Sequence, residues 1–411
     1  MILKLLVLSQ YFWPENFRIN ELVTALNAKG VEVEVLTGKP NYPAGTVFAG
    51  YRACGCTREL FQGVSLHRVP LMPRGRGGLR LALNYVSFIL SGLVFAPWLL
   101  RGRHFDAIFV FAPSPVLQAI PAIWLGWLKK CPVLLWVQDL WPESLSATGH
   151  VTHPGALKAV EHVVRWIYRK VDLLLVQSRA FMHRVQVLAA DTPVVYYPNS
   201  FLEDEPGVAR PDVDCPGFDC GFPVLFSGNL GTAQAVDVVL EAATLLSDEP
   251  DIRFVMVGDG SRRDWMMQQA AARGLGNLVF PGRFPVEAMP VLMGRAAALL
   301  VTLADTEIFR LTIPSKVQAY MASGRPIVAC LNGAGAEVVD EAGAGVTVPA
   351  EDGAALARAI RALHAQPEAA RAAMGARGRR YYEEHFSHEK LVDELIARLD
   401  QCVHRYRGHE A

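Results

Sequence analysis

Residues 2–8 form an apolar run suited to a strand buried on both faces, and residues 20–29 repeat their apolar positions at helical spacing until Gly30 stops them. Residues 31–36 then supply a second strand, so the chain opens with strand, helix and strand, the parallel βαβ unit. The same pattern predicts strands at 64–69, 106–111, 133–137, 173–176 and 194–197, and helices at 81–100, 116–128, 156–169 and 179–188. A doubly wound α/β domain over residues 1–203 follows. Residues 204–222 change to Asp, Glu, Pro and Gly, which bury little and favour turns, and they read as a linker. Beyond them strands are expected at 224–226, 253–257, 278–280, 298–301 and 327–329, with helices beginning near residues 233 and 262. This gives a second domain of the same class over 223–386. Residues 387–411 end the chain as a helix with Leu391, Leu395, Ile396 and Leu399 on one stripe.

The 81–100 segment stands apart because it carries no charge. At about 1.5 Å per residue it is long enough to cross a bilayer's hydrocarbon. A strand of the same sheet follows it at once, and one sheet cannot lie on both sides of a membrane. Arg74, Arg76 and Arg80 before it, with Arg101 and Arg103 after it, give no inside bias. A helix lying in the membrane surface and a helix buried in the core remain the two readings, the first being the expectation.

Composition narrows the function. Of 411 residues, 40 are basic and 40 acidic, which removes the clustered positive excess that a nucleic-acid surface needs. An apolar content of 51% exceeds what an ordinary soluble domain requires and fits a lipid-facing or partner-facing surface. Seven cysteines make no even disulfide framework, and no charged leader or cleavage site precedes the first strand. The expectation is a cytoplasmic protein, peripheral on the inner face of the membrane. Cys54-Gly-Cys56 with Cys215 and Cys220 have poor spacing for a zinc site, so they read as loop thiols.

The candidate chemistry centres on Ile313-Pro-Ser-Lys-Val-Gln-Ala-Tyr-Met-Ala-Ser-Gly-Arg-Pro-Ile327. Pro314 and Ser315 start a short helix, while Gly324 and Pro326 stop it before the next strand. A helix start offers unpaired N–H groups and partial positive charge to an anion, and Lys316 adds a full charge there. A nicotinamide-dependent oxidoreductase is disfavoured, because the 9–19 loop after the first strand has no glycine to let a pyrophosphate approach the backbone. The nearest match, Gly258-Asp259-Gly260, lies mid-chain and has Arg263 where the third glycine belongs.

This segment resembles the donor-phosphate segment of the family-four glycosyltransferases. Leu8-Ser-Gln-Tyr-Phe-Trp-Pro-Glu-Asn-Phe-Arg-Ile-Asn20, Lys39-Pro-Asn-Tyr-Pro43, Gln138-Asp-Leu-Trp-Pro-Glu-Ser144 and Ser227-Gly-Asn-Leu-Gly231 extend the resemblance over nearly the whole chain. Within the family it is most similar to bacterial polysaccharide enzymes of the L-fucosamine transferase (WbuB-like) and colanic-acid type. The resemblance implies the GT-B fold: two Rossmann-like domains facing each other across a cleft, with the last helix returning to the N-terminal domain.

It also implies roles. Ser315 and Lys316 would bind the donor diphosphate, with Arg310 as a second cation and Gly228, Asn229 and Gln234 closing the other side. Asn229 and Gln234 stand where the wider family carries Arg and Lys. Gly258, Asp259 and Phe284 would line the nucleoside, with Gly282 and Arg283 beside them. Asp139, retained from a His-Asp pair whose first member here is Gln138, would meet the reacting sugar as a catalytic carboxylate. The family's Glu-x7-Glu pair falls near Leu311 and Ala319, so Glu307 is the candidate replacement. Asn16, Arg18 and Asn20 would touch the acceptor. No obligatory metal is expected, since the cleft segments contain no Asp-x-Asp pair. The expected function is transfer of a sugar, N-acetyl-L-fucosamine in the leading reading, from a UDP-sugar to a polyprenyl-diphosphate-linked saccharide. Two alternatives stay open: a nucleotide-sugar epimerase of the same fold, and an inactive sugar-nucleotide-binding partner.

Overall fold

The first sheet contains β1 (Lys4–Ser9), β2 (Glu32–Thr37), β3 (Thr57–Phe61), β4 (Val64–Arg68), β5 (Ala107–Ala112), β6 (Val133–Val137), β7 (Leu173–Val176) and β8 (Val194–Tyr196). Their spatial order is β3-β4-β2-β1-β5-β6-β7-β8, parallel except where β3 pairs antiparallel with β4. The second sheet contains β9 (Phe222–Asn229), β10 (Ile252–Asp259), β11 (Leu278–Gly282), β12 (Ala298–Thr302), β13 (Ile327–Cys330) and β14 (Gly345–Val348), in the order β11-β10-β9-β12-β13-β14. The computed structural model describes residues 2–75, 77–147, 153–203, 213–219 and 221–410. Arg76, Cys220 and most of the 204–222 segment lie outside the described residues.

The chain divides into two units, Met1–Tyr197 with Glu389–Ala411, and Pro198–His388. Both carry the doubly wound parallel sheet that the alternating pattern implies. The first unit closes at Tyr197, ahead of the compositional change at residue 203, because the residues between are bonded to the second unit. Ser200 Oγ lies 2.8 Å from His388 Nδ1, and the Tyr382 hydroxyl donates to the Phe201 carbonyl at 2.8 Å.

The helix His388–Glu410 returns to the first unit for a simple reason: its apolar stripe needs a sheet face. Leu391, Val392, Leu395 and Leu399 are buried against Ile19, Leu22, Val23 and Leu26 of the Arg18–Ala28 helix and against β1, β2 and β5. Lys29 pairs with Asp393 at 2.6 Å, and the Tyr197 hydroxyl donates to the Leu391 carbonyl at 2.8 Å.

The opposite face of this sheet is covered by Gly78–Leu99, Ala119–Lys129, Pro154–Tyr168 and Arg179–Ala189, as right-handed crossovers from β4 through β8 require. Gly78–Leu99 is neither a fully buried core helix nor apolar all round its exposed side by accident. Leu81, Tyr85, Phe88, Gly92, Ala96 and Leu99 are buried on one stripe. Leu79, Leu83, Val86, Leu90, Val94 and Trp98 form the other, with Val94 66% and Trp98 67% exposed. Trp124, Trp127 and Leu128 of the next helix add to the exposed apolar surface.

Several elements depart from the expected boundaries. β3 is absent from the sequence reading because four of its five residues are not buried, so no apolar alternation marks it. Its signal was the turn: Gln62 and Gly63 both have positive φ, the geometry of a two-residue hairpin. Where helices were expected from residues 116 and 233, single 3-10 turns at Val116–Gln118 and Thr232–Gln234 come first.

Candidate functional site

In the second unit the site begins where β9 leaves the sheet. Ser227, Gly228 and Asn229 end the strand, Leu230 and Gly231 lead out of the sheet, and Lys316 in the first turn of the Ser315–Ser323 helix lies against Gly228. The helix is fixed by its buried face, Val317, Gln318, Tyr320 and Met321, and ends at Gly324, whose φ of 68° is the left-handed stop. The buried Tyr320 hydroxyl accepts the Ser227 backbone N–H at 3.0 Å, which ties the helix to the strand exit. Pro314 occupies the N-cap without a side-chain cap; the Val317 N–H bonds to the Pro314 carbonyl at 2.9 Å, and no capping side chain claims the N–H groups of Ser315 and Lys316.

Lys316 lies over this turn. Its Nζ donates to Gln234 Oε1 at 2.7 Å and sits 3.6 Å from the centre of the Phe226 ring. Among the described residues no carboxylate pairs with it. Burial pushes its pKa down to about 7. Gly228 beside it has a φ of 129°, which strains any other residue, and a Cβ there would stand 3.0 Å from Lys316 Cε. Gly258 has a different reason: a Cβ would fall 1.8 Å from the Gly228 carbonyl oxygen, so the β9 and β10 ends approach only as glycines. Asn229 is exposed at the β9 end and packs toward Gly231 and Gly260.

An anion held by Lys316 favours its charged form and raises its pKa back toward the ordinary lysine value. At pH 8 a diphosphate that reaches Lys316 therefore takes up close to one proton, and affinity falls as pH rises above about 7. Calorimetry in buffers of different ionisation enthalpy reads that uptake directly; the Lys316→Met variant should show none.

Two expected donor-binding side chains are engaged within the protein. The Arg310 guanidinium is engaged bidentately by Asp305, at 2.6 and 2.7 Å, so its charge is compensated and Lys316 has no second free cation in Arg310. Asp305 is held down to about 2 by that guanidinium. Asp259 spends one oxygen on the Gly260 N–H at 2.8 Å and the other on Arg283 at 3.2 Å, an arrangement that shapes the turn. Phe284 is half-buried beside it, while Ser315 and Glu307 are exposed, Glu307 opening the four-residue helix Glu307–Arg310. Leu311 and Ala319 carry no acid, and Leu311 caps that short helix.

The first unit holds its own site at the C-terminal edge of its sheet. β6 is buried throughout and delivers Asp139 two residues past its end. Asp139 lines a cavity of about 290 Å³ with Tyr11, Tyr42, Arg74, Tyr85 and Trp141. No hydrogen-bond partner for its carboxylate occurs among the described residues, and burial raises its pKa to about 7. Tyr85, inside the uncharged helix, is a site residue that the sequence pattern does not single out, and Arg74, before it, enters the sequence pattern only as one of the charges flanking that helix. An aromatic hydroxyl within an otherwise apolar run was the available signal.

Of the expected acceptor residues, Asn20 is a loop brace: its Oδ1 accepts the Trp13 N–H at 3.1 Å and its Nδ2 donates to the Glu15 carbonyl at 2.7 Å. That leaves its amide committed to the backbone. Asn16 is exposed, and Arg18 is half-buried as the first residue of its helix. Among the described residues no group of three or more His, Cys, Asp or Glu side chains could hold a metal.

Two family descriptions match the chain: "Glycosyl transferase 4-like domain" over residues 16–200 and "Glycosyl transferases group 1" over 221–366. The putative colanic acid biosynthesis glycosyl transferase WcaI of Escherichia coli K12 is 29% identical over 343 residues, covering 78% of this chain and 82% of that one. The probable glycosyltransferase WbjE of Pseudomonas aeruginosa is 28% identical, covering 74% and 75%. Among solved structures, sucrose-phosphate synthase from Thermosynechococcus elongatus superposes with a TM-score of 0.69 at 17% identity, covering 97% of this chain and 98% of that one. HepE of Anabaena in complex with UDP gives 0.67 at 14% identity, covering 98% and 100%. At such identity these structures speak for the fold alone.

Proposed function

We propose, from the premise that this chain is a family-four, nucleotide-sugar-dependent glycosyltransferase of GT-B fold, that it moves a sugar from a UDP-sugar to a lipid-linked saccharide during cell-surface polysaccharide biosynthesis. The observation that carries the donor half is Lys316: an unpaired, half-buried cation at a helix start, facing a glycine turn. In transfer, the bond between the anomeric carbon and the diphosphate oxygen breaks as the acceptor hydroxyl oxygen bonds to that carbon, and the hydroxyl proton passes to the departing diphosphate. Lys316 and the N–H groups at Ser315 and Lys316 meet the charge left on the departing diphosphate. The role proposed for Asp139 is at the reacting sugar, where its carboxylate offsets positive charge developing on the ring. The reaction is proposed to need no metal, since these groups supply the required charge.

N-acetyl-L-fucosamine remains the proposed donor sugar, supported by resemblance, and the biosynthetic setting is supported by the names of the relatives. A thermal-shift panel of UDP-sugars, with GDP- and dTDP-sugars for comparison, tests the donor. A ligand that binds only the folded state at a hundred times its Kd adds about 2.7 kcal/mol of stability. UDP compounds should shift the unfolding temperature by several degrees; a response confined to another base would overturn the UDP assignment.

The membrane half of the proposal rests on the exposed stripe of Gly78–Leu99 and the neighbouring tryptophans, an apolar surface edged by Arg101 and Lys130. Wild type should float with anionic liposomes. Leu90→Asp with Val94→Asp should stay behind while binding UDP normally, because both side chains face outward. Flotation unaffected by the two charges would remove this helix from the membrane contact.

A further inference from the structure

The cavity around Asp139 is built from loops that follow four different strands of the first unit. Tyr11 follows β1, Tyr42 follows β2, Arg74 follows β4, and Asp139 with Trp141 follows β6. Its walls are rings. Tyr11 stacks on Phe17 at 5.3 Å, Tyr42 lies 5.2 Å from Phe17, and Tyr85 meets Trp141 edge-on at 6.3 Å. Aromatic faces of this kind suit the C–H face of a sugar ring. A volume of about 290 Å³ is at the small end for a ligand site and fits one sugar residue with its phosphate better than an oligosaccharide.

Arg74 is the cation in this cavity. Its guanidinium lies over the Tyr42 ring at 5.4 Å, and its backbone N–H is fixed by Asn41 Oδ1 at 2.9 Å. No carboxylate forms an ion pair with it among the described residues; its guanidinium bonds to the Tyr11 hydroxyl and shares the cavity with the Asp139 carboxyl group. A planar guanidinium fixed in that way is suited to phosphate oxygens. Leu81 and Tyr85 bring the wall into register with the lipid-facing surface, since the helix that buries them exposes Leu79, Leu83 and Val86 on its other side. A ligand that fills this cavity with sugar and phosphate can leave its hydrocarbon on that surface.

We infer that this cavity is the acceptor subsite, that it takes the phosphate-linked first sugar of a polyprenyl-diphosphate acceptor, and that Arg74 is the residue that binds the acceptor's diphosphate. This rests on the lipid-linked acceptor proposed above and adds the place and the residue. It also sets the acceptor hydroxyl among the same walls as Asp139. Arg74 is then a binding residue that selects anionic, lipid-linked acceptors over neutral saccharides.

The test uses geranyl diphosphate as a short acceptor probe, titrated by calorimetry into the full-length protein saturated with UDP, so that the Lys316 site is occupied. Arg74→Met keeps a side chain against Tyr42 but removes the charge, and it should weaken geranyl diphosphate at least tenfold while UDP affinity stays within twofold. Leu145→Glu, which adds a carboxylate to the same wall, should cause a comparable loss from a different side. Equal affinity in wild type and Arg74→Met overturns the inference, as does tighter binding of geraniol than of the diphosphate. Flotation with phosphatidylglycerol vesicles separates a lipid headgroup from the acceptor. It should be unchanged in Arg74→Met, and its loss would make Arg74 a headgroup contact and overturn the assignment. Failure of wild type to bind UDP at all would instead strike the donor reading, so the two failures are distinguishable.

Discussion

Lys316→Ala should bind UDP ten- to a hundredfold more weakly than wild type and unfold at the same temperature or slightly higher. The size follows from one charge-assisted contact to phosphate, about 1.5–3 kcal/mol. The Arg310 guanidinium is already engaged by Asp305, which leaves Lys316 as the cation on which the expectation rests. The stability result follows from the same environment. Lys316 has a folded-state pKa of about 7, below its unfolded value, so its charged form is disfavoured in the fold. The unfolded chain therefore binds more protons between pH 7 and the ordinary lysine value, and wild-type stability rises with pH across that window. Removing the amine removes that dependence. Calorimetry with UDP and thermal unfolding measure the two; unchanged UDP affinity would take the Ser315–Ser323 helix out of the donor site.

Asp139→Asn should lower turnover by two orders of magnitude or more, on the order of what a charge-stabilising or proton-handling group contributes, and leave UDP affinity within twofold. The separation arises because Asp139 is assigned to the sugar and Lys316 to the diphosphate. The pH dependence provides a second reading. With a pKa of about 7, Asp139 is ionised only above neutrality, so wild-type turnover should rise through pH 7 and the residual activity of the Asn variant should lack that limb. Stability has the opposite sign. The folded pKa lies above the unfolded one, so the folded state binds the extra proton between them, and wild-type stability falls as pH rises from the ordinary Asp range to about 7. Asp139→Asn should consequently be the more stable protein at pH 8, as thermal unfolding would show. Turnover and pH profile that both match wild type would reduce Asp139 to a turn residue.

The Lys316 helix and the strand end beside it were legible because they are local. Start and stop signals within fifteen residues define the Lys316 helix, and the glycine turn opposite it is the end of one strand. The alternation of apolar runs likewise carries the two doubly wound sheets, since parallel strands buried on both faces leave a strong imprint. The cavity of the first unit was legible only at Asp139. Tyr11, Arg74 and Tyr85 come from separate loops and one helix, and nothing in their local spacing tells that the sheet order β4-β2-β1-β5-β6 gathers them. Asn20 misled for a related reason: a polar side chain on a functional loop can serve the loop itself, and only its two backbone hydrogen bonds reveal that. The uncharged helix could not be resolved from composition, because a stripe that faces the core and a stripe that faces outward are both apolar in it.

The most direct test of the central claim is mass spectrometry of the products formed from a UDP-sugar with and without a polyprenyl-diphosphate-linked saccharide. The account predicts UDP and an acceptor heavier by one sugar residue, formed only when both substrates are present. An isomerised nucleotide sugar formed without acceptor would identify an epimerase, and unchanged substrates with tight UDP-sugar binding would identify an inactive binding partner; either result contradicts the account.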